Sequence, residues 1–257
     1  MSDRDQRFGG IARLYSNDGL RRLGEAHVCV IGVGGVGAWA VEALARSGVG
    51  AITMVDLDEV CVTNVNRQLH ATDKDIGRPK VEVMSARIRG INPDCRVRTH
   101  VTFFTGSTAA TILEARFDYV LDAIDDFRNK SLLLATCRKL GIPACTTGGA
   151  GGRRDPARLR VDDLSRAHGD ILLKRVRKSL RHDYGFPAEG MGDFGIGSVF
   201  SHERPVYPHT DGSVCEEKPP GGETRLTCES GFGTASFVTG AYGFAAAGSI
   251  VEALAAG

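Results

Sequence analysis

A glycine-rich turn between an apolar strand and a helix is the feature that most constrains how this chain can fold. Residues 28–37 read Val-Cys-Val-Ile-Gly-Val-Gly-Gly-Val-Gly, and a helix-like pattern follows at residues 38–47. A second apolar run, residues 51–55, ends on Asp56. A strand, a Gly-x-Gly turn, a helix and an acidic residue about 20 positions further on have the spacing of a βαβ nucleotide-binding unit.

Each part of this unit has a chemical reason. Glycines let the backbone approach phosphate oxygens, and the helix that follows offers free N–H groups and the positive end of its dipole. Asp56 can accept hydrogen bonds from ribose hydroxyls. By itself the motif indicates a nucleotide, and an NAD site remains an alternative at this point. The glycines concerned are Gly32, Gly34, Gly35 and Gly37.

The remaining pattern predicts a single α/β domain over residues 1–257. With 42% apolar residues the chain can bury a sizeable core. Strands and helices alternate as far as residue 152, which predicts a mostly parallel, Rossmann-like sheet with flanking helices and ligands at the carboxyl ends of its strands. We expect a nucleotide-binding half (about 1–150) and a loop-rich half (about 151–257) that faces the substrate.

Apolar periodicity and turn residues give the expected elements. Beyond residue 183 we expect long loops, with one or two short strands around Val199 and Val206. The tail at 231–257 is long enough to span a membrane, but its many Gly, Ser and Thr favour a buried helix packed through small residues. The other expected helices are 7–25 (as a pair), 38–47, 79–91, 106–115, 129–140 and 171–180, and the expected strands are 28–31, 51–55, 96–103, 119–124 and 142–146.

Cysteine usage and the N-terminus bear on metal sites and location. The seven cysteines lie singly, so no Cys-x-x-Cys pair is present and no structural zinc is expected. The odd number of cysteines and the polar start of the chain indicate reduced thiols in a cytoplasmic protein without membrane attachment. A net charge of +1 favours no class of partner. The cysteines expected in the core, on or beside apolar runs, are Cys29, Cys61, Cys137 and Cys145.

Further motifs follow the glycine turn in a fixed order. They are Thr-Asn-Val-Asn-Arg-Gln at 63–68, Gly-Arg-Pro-Lys at 77–80 and Asp-Ala-Ile-Asp at 122–125. With the glycine turn and Asp-x-Asp at 56–58, they resemble the ubiquitin-activating-type (E1-like, HesA/MoeB/ThiF) adenylating superfamily. That superfamily includes the enzymes that activate the sulfur carriers of molybdopterin and thiamine synthesis. The resemblance implies an E1-like fold and a homodimer.

Three other stretches resemble one branch of that superfamily, the tRNA threonylcarbamoyladenosine dehydratases. They read Arg-Phe-Gly-Gly-Ile-Ala-Arg-Leu-Tyr at 7–15, Thr-Thr-Gly-Gly-Ala-Gly-Gly at 146–152 and Cys-Glu-Ser-Gly-Phe-Gly at 228–233. The likeness covers nearly the whole chain. It implies ATP with Mg2+ as cofactors, a monovalent cation near the site in some members, and a cysteine-desulfurase-type sulfur relay protein as a candidate partner.

The resemblance also assigns an ATP site to particular residues. Asp56 would hold the ribose, while Asn64 and Arg67 would fix the triphosphate or its metal. Lys80 would add its charge to the dipole at the start of a helix, and Arg67 offers a planar fork suited to phosphate oxygens. Asp125, at the end of a strand, would bind Mg2+ or orient the reacting groups. Arg67, Lys80 and Asp125 are therefore also the expected catalytic residues.

Three other assignments leave alternatives open. Asp122 is placed with the ATP-site residues, or it merely ends a strand or caps a helix. Cys228 lies just before the last helix, where a thiolate would be reactive, and it is either catalytic or a small apolar filler. Arg7 or Arg13 would reach the ATP of a neighbouring subunit, and the sequence does not choose between them.

A basic segment lies in the second half of the chain. Residues 153–182 carry ten Lys or Arg against four Asp, so this segment is strongly positive although the net charge of the whole chain is only +1. Such a run is either a solvated helix face or a contact surface for the phosphates of RNA. We expect tRNA to bind there through Lys174, Arg175, Arg177 and Lys178.

Three functions compete at this point. The first is an ATP-dependent tRNA-modifying ligase or cyclase, which adenylates the threonyl carboxylate of threonylcarbamoyladenosine beside the anticodon and closes a cyclic oxazolone with net loss of water. The second is an adenylyltransferase for a ubiquitin-like sulfur carrier, which the missing Cys-x-x-Cys pairs and the basic segment disfavour. The third is a non-catalytic nucleotide-binding or NAD-binding module, which the cations Arg67 and Lys80 disfavour because they suit phosphate chemistry better than hydride transfer.

Overall fold

Helices and strands alternate along most of the chain, as the sequence predicts. The computed structural model describes residues 3–209, 211–217 and 232–257. Its helices are α1 Asp3–Glu25, α2 Gly37–Arg46, α3 Lys80–Ile91, α4 Ala109–Leu113, α5 Phe127–Leu140, α6 Ile171–Asp183 and α7 Ser236–Ala256. Its strands are β1 His27–Ile31, β2 Ala51–Val55, β3 Arg96–His100, β4 Tyr119–Asp122, β5 Ala144–Thr147, β6 Leu159–Asp163, β7 Gly197–Ser201, β8 Tyr207–Pro208 and β9 Val214–Cys215.

One seven-stranded sheet, in the order β3-β2-β1-β4-β5-β7-β6, organises the molecule. All neighbours in it are parallel except the edge strand β6, which runs antiparallel to β7. The chain builds outward from β1 in one direction through β2 and β3, and then in the other through β4 and β5. The reversal between β1 and β4 is a topological switch point, where a crevice opens at the carboxyl ends of the strands. The prediction of a mostly parallel, Rossmann-like sheet is confirmed.

Two apolar layers cover the sheet. Along β1, Val28 and Val30 face one layer while Cys29 and Ile31 face the other, as the alternation of a strand requires. The first layer lies under α1, α2, α3 and α7, and the second under α4, α5 and α6. Because both faces are covered, the central strands are apolar at nearly every position, which is why they are readable from the sequence.

A break in the backbone at Ser16 divides α1 into two helices. Ser16 interrupts α1 with φ 68° and ψ 168°, and its hydroxyl accepts a hydrogen bond from the backbone N–H of Gly19 (3.2 Å). A serine at such a break caps the first turn of the following helix. The predicted pair of helices over 7–25 is therefore confirmed, with the boundary at Ser16.

The last helix packs mainly through small residues. A Cβ on Gly243 would lie 2.6 Å from the carbonyl oxygen of Val36 and 2.8 Å from Cβ of Trp39, so α7 lies directly on α2. Among the described residues α7 is a helix long and apolar enough to cross a membrane, and half of its apolar window is buried in the fold. The predicted buried helix is confirmed for the face of α7 that packs on α2, whereas Phe237 and Phe244 of the same helix are exposed.

Two expectations need correction. The first concerns β6, which the sequence analysis did not predict. The apolar–polar alternation of Leu-Arg-Val-Asp-Asp is limited to two apolar residues, and the strand forms by pairing its backbone with all five residues of β7. The second concerns Cys61, which is exposed in the loop after β2, whereas Cys29, Cys137 and Cys145 are buried as expected. A hydrogen bond from the hydroxyl of Thr63 (3.3 Å) lowers the pKa of the Cys61 thiol.

Candidate active site

The glycine turn lies at the switch point, and its glycines have different roles. Gly32 has φ +89°, and a Cβ there would lie 2.7 Å from the carbonyl oxygen of Ala123, just past β4. A Cβ on Gly37 would overlap the carbonyl oxygen of Gly32, and one on Gly35 would press on Thr239 (3.2 Å). These three glycines are required by the packing of the turn itself.

Gly34 differs, because the space beside it is open. A Cβ there would have its nearest neighbour, Nε2 of Gln68, 3.9 Å away. Gln68 is 7% exposed, and its Oε1 has no hydrogen-bond partner. A missing side chain beside an unpaired amide oxygen fits a turn built to admit a ligand. The sequence analysis did not single out Gln68, although it follows directly after the Asn-x-x-Arg motif.

Asp56 ties the glycine turn to the end of β2. Its Oδ2 accepts a hydrogen bond from the backbone N–H of Val33 (2.7 Å), and its Oδ1 accepts one from the N–H of Asp58 (2.9 Å). Burial raises the pKa of the carboxyl, and the nearby Lys80 ammonium opposes that rise. Each carboxylate oxygen can accept more than one hydrogen bond, so Asp56 can hold the turn and still receive ribose hydroxyls.

Lys80, the first residue of α3, is held in place by a carboxylate that the sequence analysis left aside. Its Nζ donates to Oδ2 of Asp58 (2.7 Å), and its backbone N–H donates to the carbonyl of Asp58 (3.0 Å). The lysine side chain is 6% exposed and that of Asp58 is 54% exposed. The signal that could have identified this partner is the Asp-x-Asp spacing, which puts Asp56 and Asp58 on one side of the loop.

The predicted triphosphate ligands sit on a short turn beside the glycines. Arg67 Cγ lies 3.6 Å from the Cβ position of Gly35, and the carbonyl oxygen of Arg67 accepts hydrogen bonds from Trp39 Nε1 (3.2 Å) and Thr239 Oγ1 (3.0 Å). Helices α2 and α7 thus fix the backbone from which the guanidinium extends. Asn64 is buried, and its Oδ1 accepts from the backbone N–H of residue 61 (3.0 Å), which leaves its NH2 donors to serve a phosphate.

The two aspartates of Asp-x-x-Asp face opposite environments. Asp122 is fully buried, and its Oδ2 accepts from Lys130 Nζ (2.9 Å) and Thr146 Oγ1 (2.7 Å). Burial raises the pKa of Asp122, and the charge of Lys130 opposes the rise. Asp125 is exposed at the carboxyl edge, next to Asp126, which caps the N-terminus of α5. Of the two, only Asp125 is open to a ligand in this structure.

A second glycine loop, residues 148–152, follows β5 on the same edge. The backbone N–H of Gly149 donates to Oδ2 of Asp170 (2.9 Å), and Tyr242 Oη donates to the carbonyl of Gly149 (3.3 Å). Asp170 also caps α6 by accepting from the N–H of Leu173 (2.9 Å), and burial raises its pKa. Helices α6 and α7 are therefore both tied to the loop beside the predicted ATP site.

The basic helix α6 presents its charges unevenly. Lys174 and Lys178 are exposed, but the guanidinium carbon of Arg175 lies 3.9 Å from the ring centroid of Phe127, and Arg177 is half-buried. Burial lowers the pKa of Arg177. Their contact with RNA stays a prediction, and Cys228 lies outside the described residues. Within the described part of the chain no three His, Cys, Asp or Glu side chains converge as a metal site would require, and the absence of structural zinc stays a prediction.

The fold and this group of side chains define a Rossmann-like, E1-like nucleotide-binding protein. The model of the ThiF family matches residues 10–162, and the chain belongs to that family. The resemblance drawn from the motifs is thereby confirmed.

Relatives and solved structures narrow the comparison within the family. The chain is 49% identical over 242 residues to the tRNA threonylcarbamoyladenosine dehydratase of Escherichia coli, covering 94% of this chain and 90% of that one. It is 45% identical to the dehydratase of Haemophilus influenzae, with 97% and 94% covered. It superposes on the crystal structure of the E. coli dehydratase, TcdA, in complex with ATP, with TM-score 0.88, 44% identity, and 99% and 96% covered.

Proposed function

We propose that this chain is an ATP-dependent tRNA threonylcarbamoyladenosine dehydratase. The observation that carries the proposal is the match to dehydratases over more than nine-tenths of the chain, one of them solved with ATP. The arrangement of Lys80, Arg67 and Asp56 around an open glycine turn supports it from the chemistry. We treat residues 1–257 as one domain, with a nucleotide-binding half before about residue 150 and a substrate-facing half after it.

The reaction joins a poor electrophile to a good leaving group. A carboxylate resists attack because its charge is delocalised. Attack by the threonyl carboxylate on the α-phosphate of ATP forms an acyl-adenylate and releases pyrophosphate. The carbamoyl oxygen then attacks the activated carbonyl, AMP leaves, and a five-membered oxazolone closes. The tRNA has lost the elements of one water molecule, and ATP has become AMP and pyrophosphate.

Side chains of this chain suit each requirement of that reaction. Asp56 holds the ribose, and Lys80 and Arg67 neutralise phosphate charge as pyrophosphate leaves. Asp58 keeps the lysine ammonium at its place (2.7 Å), which limits the reorganisation needed during the reaction. Mg2+, which Asp125 suits as an exposed oxygen ligand, would supply further charge neutralisation at the phosphates. A monovalent cation near the site, implied by the resemblance, is part of the same proposal.

The partners follow from the same proposal. We expect tRNA on the basic face of α6, a cytoplasmic location, and no membrane attachment. Cys228 is proposed as a reactive thiol that a cysteine-desulfurase-type relay protein would address, with a purely structural role as the alternative.

A homodimer is supported by apolar side chains near the ATP site. Phe244 is 50% exposed and Phe237 is 59% exposed on α7, the helix that also binds the Arg67 carbonyl through Thr239. Leu14 on α1 is 76% exposed. A second copy that covers these side chains is part of the proposal, and its Arg7 or Arg13 is the residue that the family resemblance assigns to the neighbouring ATP.

The deciding experiment supplies the purified chain with ATP and Mg2+ and with tRNA that either carries or lacks threonylcarbamoyladenosine. We expect AMP release and a dehydrated nucleoside, detected by mass analysis, only with the modified tRNA. Release of AMP with a ubiquitin-like sulfur carrier, and not with tRNA, would favour the alternative adenylyltransferase. No AMP with either acceptor would contradict the proposed enzyme.

A further inference from the structure

Two histidine rings lie in contact at the end of β7, tilted by 56° to each other. The ring centroids of His168 and His202 are 4.1 Å apart, and both rings also contact Phe200, with centroids 5.9 Å and 5.3 Å away. Phe200 is buried, His202 is half-buried and His168 is exposed. The buried ring supports the other two from below and leaves an aromatic surface facing solvent.

Two arginines flank this surface from the edge strand. Arg160 pairs with Phe200 across the β6–β7 ladder, and beyond the ladder the backbone N–H of His202 donates to the carbonyl of Arg158 (3.3 Å). Residues directly opposite in a pair, and residues two apart along a strand, share a face. Arg160 therefore lies on the face of the sheet that carries Phe200 and His202, and Arg158, in the short turn that precedes β6, is close enough for its charge to act on His202. We call this group, Arg158, Arg160, His168 and His202, the basic ledge.

The ledge keeps its positive charge available. Among the described residues, the ion pairs of this region are made by Arg166 and Arg204, not by Arg158 or Arg160. The nearby Glu203 is buried, and its carboxylate accepts hydrogen bonds from two backbone N–H groups, with N···O distances of 2.9–3.1 Å. Partial burial lowers the pKa of His202, and the charges of His168, Arg160 and Arg158 lower it further. The lowered pKa favours the uncharged form of the His202 ring, so the positive charge of the ledge comes mainly from its two arginines.

The position of the ledge relates it to the candidate active site. β7 lies two strands from β4, so the carboxyl ends of these two strands are about 10 Å apart along the same edge of the sheet. Two residues after His168, Asp170 binds the second glycine loop through Gly149. The basic helix α6 starts at Ile171, immediately beyond. The ledge thus lies on the β7–β6 side of the candidate active site, close in sequence to the start of α6.

We propose that the basic ledge binds an unpaired nucleotide next to the modified adenosine of the tRNA substrate, with its base packed against the rings of His168 and His202 and its phosphates on Arg158 and Arg160. This inference rests on the proposed function and identifies where that function holds its RNA. Single-stranded RNA is read by stacking on flat side chains combined with cations along the backbone. The ledge has flat rings and cations, and the buried Phe200 keeps the two histidine rings in place.

The test measures binding of labelled tRNA that carries threonylcarbamoyladenosine, over a series of salt concentrations. Arg158→Gln with Arg160→Gln should lower the slope of log affinity against log salt by about 1.4, because each contact to a single-stranded phosphate contributes about 0.7. His168→Ala with His202→Ala should weaken binding about fivefold or more at an unchanged slope. His168→Phe with His202→Phe should restore affinity, since a flat ring is kept.

Matched controls separate the ledge from general charge and from folding. Arg96→Gln with Arg98→Gln removes the same charge from exposed residues of β3, the opposite edge strand, and should leave tRNA binding unchanged. ATP affinity should be the same in every variant. If the alanine pair binds tRNA with wild-type affinity, or if the β3 control loses as much affinity as the ledge variants, the ledge proposal is wrong. Dehydration of the modified tRNA by the wild-type chain would still support the proposed function. A wild-type chain that binds no tRNA would instead overturn the proposed function, and the ledge with it.

Discussion

Removal of the Lys130 ammonium is the sharpest test of how the carboxyl edge is built. The side chains of Lys130 and Asp122 are both 0% exposed, and their ion pair is 2.9 Å long. Lys130 Nζ also donates to Thr146 Oγ1 (3.0 Å) and to the carbonyl of Asp122 (3.3 Å). In Lys130→Met the carboxylate keeps only neutral donors: the hydroxyl of Thr146 (2.7 Å) and the backbone N–H of Ile124 (3.1 Å).

The loss of stability in Lys130→Met comes from the buried charge of Asp122, which is left without an opposite charge. Breaking a buried pair by removing one partner costs about 3–5 kcal/mol, whereas replacing both partners by neutral groups of similar size is often close to neutral. We therefore expect Lys130→Met to lower the free energy of unfolding by about 3–5 kcal/mol, and Asp122→Asn with Lys130→Met to recover most of that loss. Against a typical total of about 5–15 kcal/mol the single variant would be severely destabilised.

Urea unfolding at pH 7, followed by far-UV circular dichroism, measures these differences. The matched control is the exposed pair Arg21–Glu25, whose side chains are 57% and 66% exposed, and its disruption should cost less than about 1 kcal/mol. A cost for Lys130→Met as small as the control, or a double variant no more stable than the single one, would refute the reasoning. ATP affinity is the second readout, because a loss of affinity in the double variant Asp122→Asn with Lys130→Met, whose stability should be close to wild type, would return Asp122 to the nucleotide site.

Four further outcomes are expected. Burial lowers the pKa of His70 from 6.5 to about 4, so its contribution to stability is present above pH 6.5 and is lost as the pH falls towards 4. When the pH is lowered from 7 to 4.5, urea unfolding should show that His70→Leu loses less free energy of unfolding than wild type, and the two losses should differ by about 2–3 kcal/mol. Gly34→Ala should fold normally and bind ATP more weakly in calorimetry, while Gly37→Ala should fail to fold because its Cβ overlaps a turn carbonyl; normal ATP affinity in Gly34→Ala would remove the turn from the site. Lys80→Gln should reduce kcat for AMP formation about 100-fold or more with circular dichroism unchanged, and near-normal turnover would exclude its phosphate role. Phe244→Ser should shift sedimentation from dimer towards monomer, and an unaltered sedimentation profile would place the interface elsewhere.

The central strands and the helices between them were predictable because their signals are local. β2 spans 51–55 as expected, and α3 begins one residue after Pro79, where a proline favours the first turn. Gly141, in the left-handed conformation, ends α5 as the sequence indicated. By contrast β6 has only two alternating apolar residues, too weak a local signal, and it forms because β7, some 35 residues further on, offers a backbone ladder.

The candidate site was predictable as a set of residues but not as an arrangement. The order of motifs predicts that Asp56, Arg67 and Lys80 serve one nucleotide, and the structure brings Asp56 and Arg67 into contact with the glycine turn and the Lys80 ammonium near Asp56. The lysine's partner Asp58 and the unpaired Gln68 were missed, since nothing in the linear order says which side chains meet across the loop. The basic ledge was also missed, because its histidines are separated in sequence and meet only through β7.

The chain's own order of residues determined the class of fold, the nucleotide turn and the acid and basic groups that can serve it, since these depend on short-range periodicity and spacing. Only the tertiary structure decided that Asp122 faces a buried lysine while Asp125 faces solvent, and that Gly34 is open while Gly37 is closed by its own turn. It also decided that Cys61 is exposed. The physical reason is the same in each case: the environment of a side chain is set by the neighbours that sheet pairing and helix packing bring from distant parts of the chain, and local pattern contains no information about them.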